Sequence, residues 1–172
     1  ILLLKNRSYK WFILSTVLII SLICCSISNT YELNRPRVIM YHVDKGFCID
    51  FFKNGKRFTL SESQNDKDEY SFQGARRAYG NKPLSYRAIQ VGKESQLIVF
   101  ENQKFLILRE FISLQSTIEI DYILITNGVK EKWLESWAFS SIILSNEVKA
   151  WEKNLVGINY HDLRESAYMV IF

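Results

Sequence analysis

Between Lys10 and Glu32 the chain carries no charged residue, and from Trp11 to Ser28 it is apolar apart from serine and threonine. These eighteen residues, rising about 1.5 Å each, cover roughly 27 Å, close to the hydrocarbon thickness of a bilayer. The run predicts a membrane-spanning helix over residues 11–28. Hydroxyls such as Ser15, Thr16 and Ser21 can bond back to the helix backbone and so cost little in lipid. Tyr9, Trp11 and Phe12 at one end and Tyr31 at the other suit the two membrane–water interfaces. A secretory signal is the competing reading, but Cys25 to Asn29 offers only a weak cleavage site and the run exceeds a usual signal core.

The flanks say more. The sequence opens Ile-Leu-Leu-Leu and then reaches Lys5, Arg7 and Lys10. This pattern reads as the end of one apolar helix (residues 1–10 with a basic loop), followed by the span at 11–28, a linker at 29–36 and a soluble domain at 37–172. The expectation is a C-terminal piece of a polytopic protein, with the basic loop in the cytoplasm and the domain on the opposite side. Of the 22 basic residues three precede the span, so beyond it 19 face all 18 acidic ones. A domain so near neutrality lacks the basic excess of a tight duplex binder. A local patch remains open, at Lys53, Lys56 and Arg57, or at Arg76, Arg77 and Lys82; solvated hairpin and helix surfaces are the plainer reading.

The soluble part begins with strand-like runs at residues 37–43, 47–52 and 56–60. Asp44-Lys45-Gly46 separates the first two, and Asn54-Gly55, the strongest short hairpin signal, separates the last two. Residues 67–79 read as a helix whose apolar set is Tyr70, Phe72, Ala75, Ala78 and Tyr79, stopped by Gly80-Asn81 before Pro83. Strands return at 84–91, 96–101 and 104–110, the last two joined by Asn102-Gln103. The near-continuous apolar run at 118–126 suits a strand buried on both faces. Helices are expected at 129–137 and 147–156, alternating with strands at 140–145, 158–163 and 167–172. That alternation implies parallel neighbours joined by crossovers, hence a mixed α/β fold, a layered α/β sandwich.

Chemistry-bearing residues are sparse. Cys24 and Cys25 lie in the span, as small helix-facing or lipid-facing residues or, alternatively, as lipidation sites. Cys48 is then alone in the domain, so no intradomain disulfide can form. His42 and His161 lie near the ends of two strands that can converge at one sheet edge, but no metal-ligand spacing accompanies them. Asp50 and Asp121 sit inside apolar strands, where an acid is costly unless paired. Each is either catalytic, with Asp44 completing a set, or a structural acid held by backbone amides or an arginine. Trp133, Trp137 and Trp151 fall at core-facing helical spacing, which favours packing over base stacking.

The segments Arg35 to Val43, Cys48 to Phe52, Ile120 to Thr126, Ala150 to Lys153 and Tyr160 to Ile171, together with the helix before them, resemble the C-terminal region of ComEC-type competence proteins, the inner-membrane channel family for DNA uptake in natural transformation. In longer members the tail resembles a metallo-β-lactamase-like domain of four αββα layers, in which a strand of Asp-x-Leu type runs into metal-binding histidines. Here the strand from Asp121 runs into Asn127-Gly128, and a His-x-His-x-Asp-His cluster has no counterpart in the sequence. The resemblance therefore implies a reduced metallo-β-lactamase-like tail with no catalytic residues and no cofactor, in which Asp50, Asp121, His42 and His161 mark a vestigial site. It implies a multi-pass inner-membrane protein with a periplasmic domain. Its partners would be the bilayer, the upstream channel region of the same polypeptide and single-stranded DNA, with Lys53, Lys56 and Arg57 as contacts. Two alternatives stand beside it: an independent single-pass anchored interaction module, or a hydrolase or nuclease whose site is incomplete in this piece.

Overall fold

A computed structural model describes residues 2–44, 46–62, 66–110, 112, 119–126, 134, 138–145, 148 and 160–172, without the side chains of 2–8 and 66–71. The first helix, α1, runs without a break over Leu2–Asn34. It thus passes straight through the segment expected to be a basic loop. The physical reason is plain in the sequence: no glycine or proline lies between Leu2 and Asn34, and lysine, arginine and the intervening side chains all continue a helix. Pro36 ends it, because the residue before a proline is driven out of the helical region. Ser15 and Thr16 donate to the Phe12 carbonyl at 2.8 and 2.9 Å, and Thr30 donates to Ser26 at 2.9 Å, as the hydroxyl argument requires. Residues 9–34 are long and apolar enough to cross a membrane, and 0% of that stretch is buried against the rest of the chain. A core helix would be covered.

Two mixed sheets follow. The first contains β1 (Arg37–Tyr41), β2 (Cys48–Lys53), β3 (Gly55–Ser61), β4 (Gly80–Pro83) and β11 (Tyr168–Ile171). Its order is β11-β1-β2-β3-β4, antiparallel except for the parallel pair β3–β4, which is joined through α2 (Asp66–Tyr79). Asn54 and Gly55 adopt φ of 51° and 70°, the left-handed pair that a two-residue hairpin demands. The second sheet contains β5 (Ile89–Gln90), β6 (Gln96–Phe100), β7 (Gln103–Leu108), β8 (Ile120–Ile125), β9 (Phe139–Leu144) and β10 (Tyr160–Asp162). Its order is β10-β9-β8-β7-β6-β5, with β7 to β10 parallel. The mixed α/β reading holds, and parallel pairing holds for β8 to β10, but the closing strand β11 departs from it and pairs antiparallel with β1 in the first sheet. The run at 84–91 pairs only over β5, and the tight turn before β7 is Glu101-Asn102, both at positive φ, one residue earlier than Asn102-Gln103. The expected helices at 129–137 and 147–156, with Trp133, Trp137 and Trp151, lie outside the described residues.

The two sheets face each other. Alternation on β1 and β2 sends Val38, Met40, Ile49 and Phe51 inward, against Ile98, Phe100, Phe105, Ile107 and Leu124 of the second sheet. The opposite face of the first sheet presents Ile39, Tyr41, Cys48 and Phe52 to Phe72, Ala75 and Tyr79 of α2. Ala78 of the expected apolar set is exposed instead. The outer face of the second sheet is covered by Ile112, Leu134 and Val148. Ion pairs tie the sheets near both ends of the β2–β3 hairpin: Lys53 to Glu101 at one end and Glu62 to Arg109 at the other.

Candidate functional site

Asp50 is fully buried, and alternation turns it toward α2, away from the space between the sheets. Arg76 reaches it from α2, with Nε 2.7 Å from Oδ2 and a terminal nitrogen 3.3 Å from Oδ1. Thr59, its partner across β2–β3, donates to Oδ1. Arg76 also lies 3.6 Å from the Cys48 sulfur. Burial works against the charge on Arg76, but its bond to Asp50 and their attraction more than offset this, and its pKa is raised. Burial, helped by the Asp50 charge, pushes the Cys48 thiol up to about 12, so the sulfur stays protonated and unreactive. The Tyr41 phenol is likewise raised by burial first and the Asp50 charge second. Its oxygen lies in the field of that carboxylate but makes no hydrogen bond of ordinary geometry among the described residues. Asp50 is thus held by an arginine 26 positions away.

The other nominated residues are engaged separately. Asp121 accepts the Lys104 backbone N–H at 2.8 Å, so it fastens β8 to the start of β7. His42 does approach the end of β10: its Nδ1 lies 3.0 Å from the Leu163 carbonyl, which makes that nitrogen the donor. The His161 Nε2 is 2.9 Å from the Ser166 carbonyl. Among the described residues no three acidic, histidine or cysteine side chains gather as a metal site. Asp44 is exposed beyond β1, Asp50 faces α2 and Asp121 belongs to the other sheet, so the proposed acidic set does not assemble.

The basic patch is reorganised by the two-residue period. Lys53 and Lys56 are cross-strand partners on the inner side of the β2–β3 hairpin, in line with Phe51 and Phe58. Arg57 pairs with Phe52 on the opposite face, where its charge acts on Cys48. Three basic residues close in sequence thus divide two and one. Lys53 and Lys56 line an open cleft of about 550 Å³ between the hairpin tips of the two sheets, with Asn54, Ser85, Tyr86, Glu101 and Asn102. Tyr86 is half-buried and its ring lies parallel to Phe51 at 6.4 Å, with Phe58 at 5.8 Å. Burial, then the Glu101 charge, raises its pKa, so it is a neutral phenol at physiological pH. Lys53 is paired with Glu101 at 2.5 Å, while Lys56 is exposed and sits beside Lys82 of β4. Ammonium groups beside a supported aromatic ring and side-chain amides match a phosphodiester carrying an unpaired base. No spacing in the sequence marks Tyr86, whose segment reads as strand; its one signal is an aromatic residue in a polar stretch just after Pro83.

The family model for the ComEC C-terminal domain matches residues 38–172, from β1 to the last residue, and so takes in both sheets. No curated protein and no solved structure is matched significantly.

Proposed function

Because the chain belongs to the ComEC C-terminal domain family, a family of membrane proteins of competence and DNA uptake, we propose that it is a non-catalytic tail domain that guides single-stranded DNA beside an inner-membrane channel. The observation that carries this reading is the cleft holding Lys53, Lys56 and Tyr86. Its hairpin tip also lines a second cleft against the last turn of α1, so the proposed DNA site lies at the membrane end of the domain. With the basic side of α1 in the cytoplasm, the domain would face the periplasm. The non-catalytic part is supported by what the nominated residues already do: Asp50 is neutralised, Asp121 accepts a backbone amide, and both histidines donate to carbonyls. Two facing mixed sheets, with α2 covering one, support descent from a four-layer metallo-β-lactamase-like fold.

Binding of a labelled oligothymidylate to the full chain in detergent, measured at two salt concentrations, tests the reading. Two phosphate contacts on a single strand predict a log–log salt slope steeper by about 1.4 than in the Lys53→Gln/Lys56→Gln variant. Affinity of that variant at low salt is expected to fall about tenfold, whereas Arg57→Gln, on the other face, leaves it within about twofold. Equal binding by wild type and the double variant refutes the cleft as the DNA site.

A further inference from the structure

The cleft against α1 is a site in its own right. It measures about 300 Å³ and is lined by Thr30, Leu33 and Asn34 of α1, by Arg77, Ala78 and Tyr79 of α2, and by Gly55 and Gly80. None of these residues is acidic. Gly80 packs so close to the hairpin that a Cβ there would lie 2.6 Å from the Gly55 carbonyl carbon, so the floor is backbone against backbone. Arg77 is exposed, donates to Gln73 at 3.1 Å and makes no ion pair among the described residues. Lys56, the residue after Gly55, belongs instead to the Tyr86 cleft on the inner face of the hairpin.

The helix fixes the depth of this cleft. Tyr9, Trp11 and Phe12 form one interfacial belt and Tyr31 the other. From Trp11, about 20 residues fill the hydrocarbon, which brings the second interface to Thr30 and Tyr31. The last turn of α1, and the cleft built on it, then lie among the lipid headgroups. The carbonyl ends of α1 would oppose an anion there, but Arg37 and the Arg35 N–H both donate to the Glu32 carbonyl and reduce that opposition.

We infer that this cleft binds the phosphate of a phospholipid headgroup, with Arg77 as its principal ligand. Such a contact fixes how the domain sits on the bilayer, independently of whether the other cleft takes DNA. The test uses the full chain in detergent, titrated with a fluorescent short-chain phosphatidylglycerol. Arg77→Ala should weaken binding about tenfold, the loss of one charge-assisted pair, and Arg77→Lys should weaken it less. The melting temperature without lipid should be the same for all three proteins, since Arg77 is exposed. Unchanged lipid binding in Arg77→Ala overturns the assignment. So does displacement of the lipid by equimolar inorganic phosphate, which would mark a site for free phosphate. Lipid binding lost in Lys53→Gln/Lys56→Gln but kept in Arg77→Ala would place the ligand in the other cleft and likewise overturn it.

Discussion

Replacing Arg76 by alanine is expected to cost the domain about 3–5 kcal/mol of stability. The Asp50 side chain is 0% exposed and Arg76 is its charge partner. Without the guanidinium, a carboxylate stays in a low-dielectric setting beside the Thr59 hydroxyl, a neutral phenol and a neutral thiol. The same change removes a firm polar contact between α2 and the sheet, leaving Phe72, Ala75 and Tyr79 to hold the helix by packing. Asp50→Ala/Arg76→Ala should recover part of the loss, because the orphaned charge is then gone. Urea unfolding of the full chain in detergent, followed by tryptophan fluorescence, reads both effects. A single variant within about 1 kcal/mol of wild type would mean that the pair holds little.

Phe51→Ala should be comparably severe, about 3–5 kcal/mol. Phe51 is 0% exposed, and its ring lies 5.3 Å from Phe100 and 5.5 Å from Phe105, both of the opposite sheet. It is the point where the two sheets interdigitate, and truncation leaves a cavity that rings anchored on separate strands cannot fill by collapsing. Phe51→Leu fills most of that volume and should cost distinctly less. Since Tyr86 lies parallel to Phe51, the alanine variant should also loosen the cleft wall and weaken DNA binding beyond its effect on folding. Equal unfolding midpoints for the alanine and leucine variants would contradict the packing assigned to this ring.

What could be read from the sequence was what local chemistry decides. Asn54-Gly55 tolerates positive φ at both positions, so the hairpin was legible from two residues. The run at 118–126 contains β8, flanked on both sides by parallel strands, and its apolar continuity announced that. Long-range choices were not legible. That β11 would cross to the first sheet and pair with β1 depends on contacts more than a hundred residues apart. The partner of Asp50 lay on a helix whose register against the sheet no spacing reveals. The basic patch misled for a simpler reason: Lys53, Lys56 and Arg57 straddle a two-residue turn, and a hairpin puts Arg57 on the other face. The expected loop at Lys5 to Lys10 failed because charge alone does not stop a helix.

The central claim is that the Tyr86 cleft holds single-stranded DNA. It can be tested by irradiating the full chain in detergent with an oligothymidylate carrying 5-iodouracil, which couples to aromatic rings it touches, and mapping the adduct by mass spectrometry. The account predicts an adduct on Tyr86 that disappears when Lys53 and Lys56 are both glutamine. An adduct on aromatic residues away from the cleft, or bound strand with no coupling to Tyr86, would contradict it.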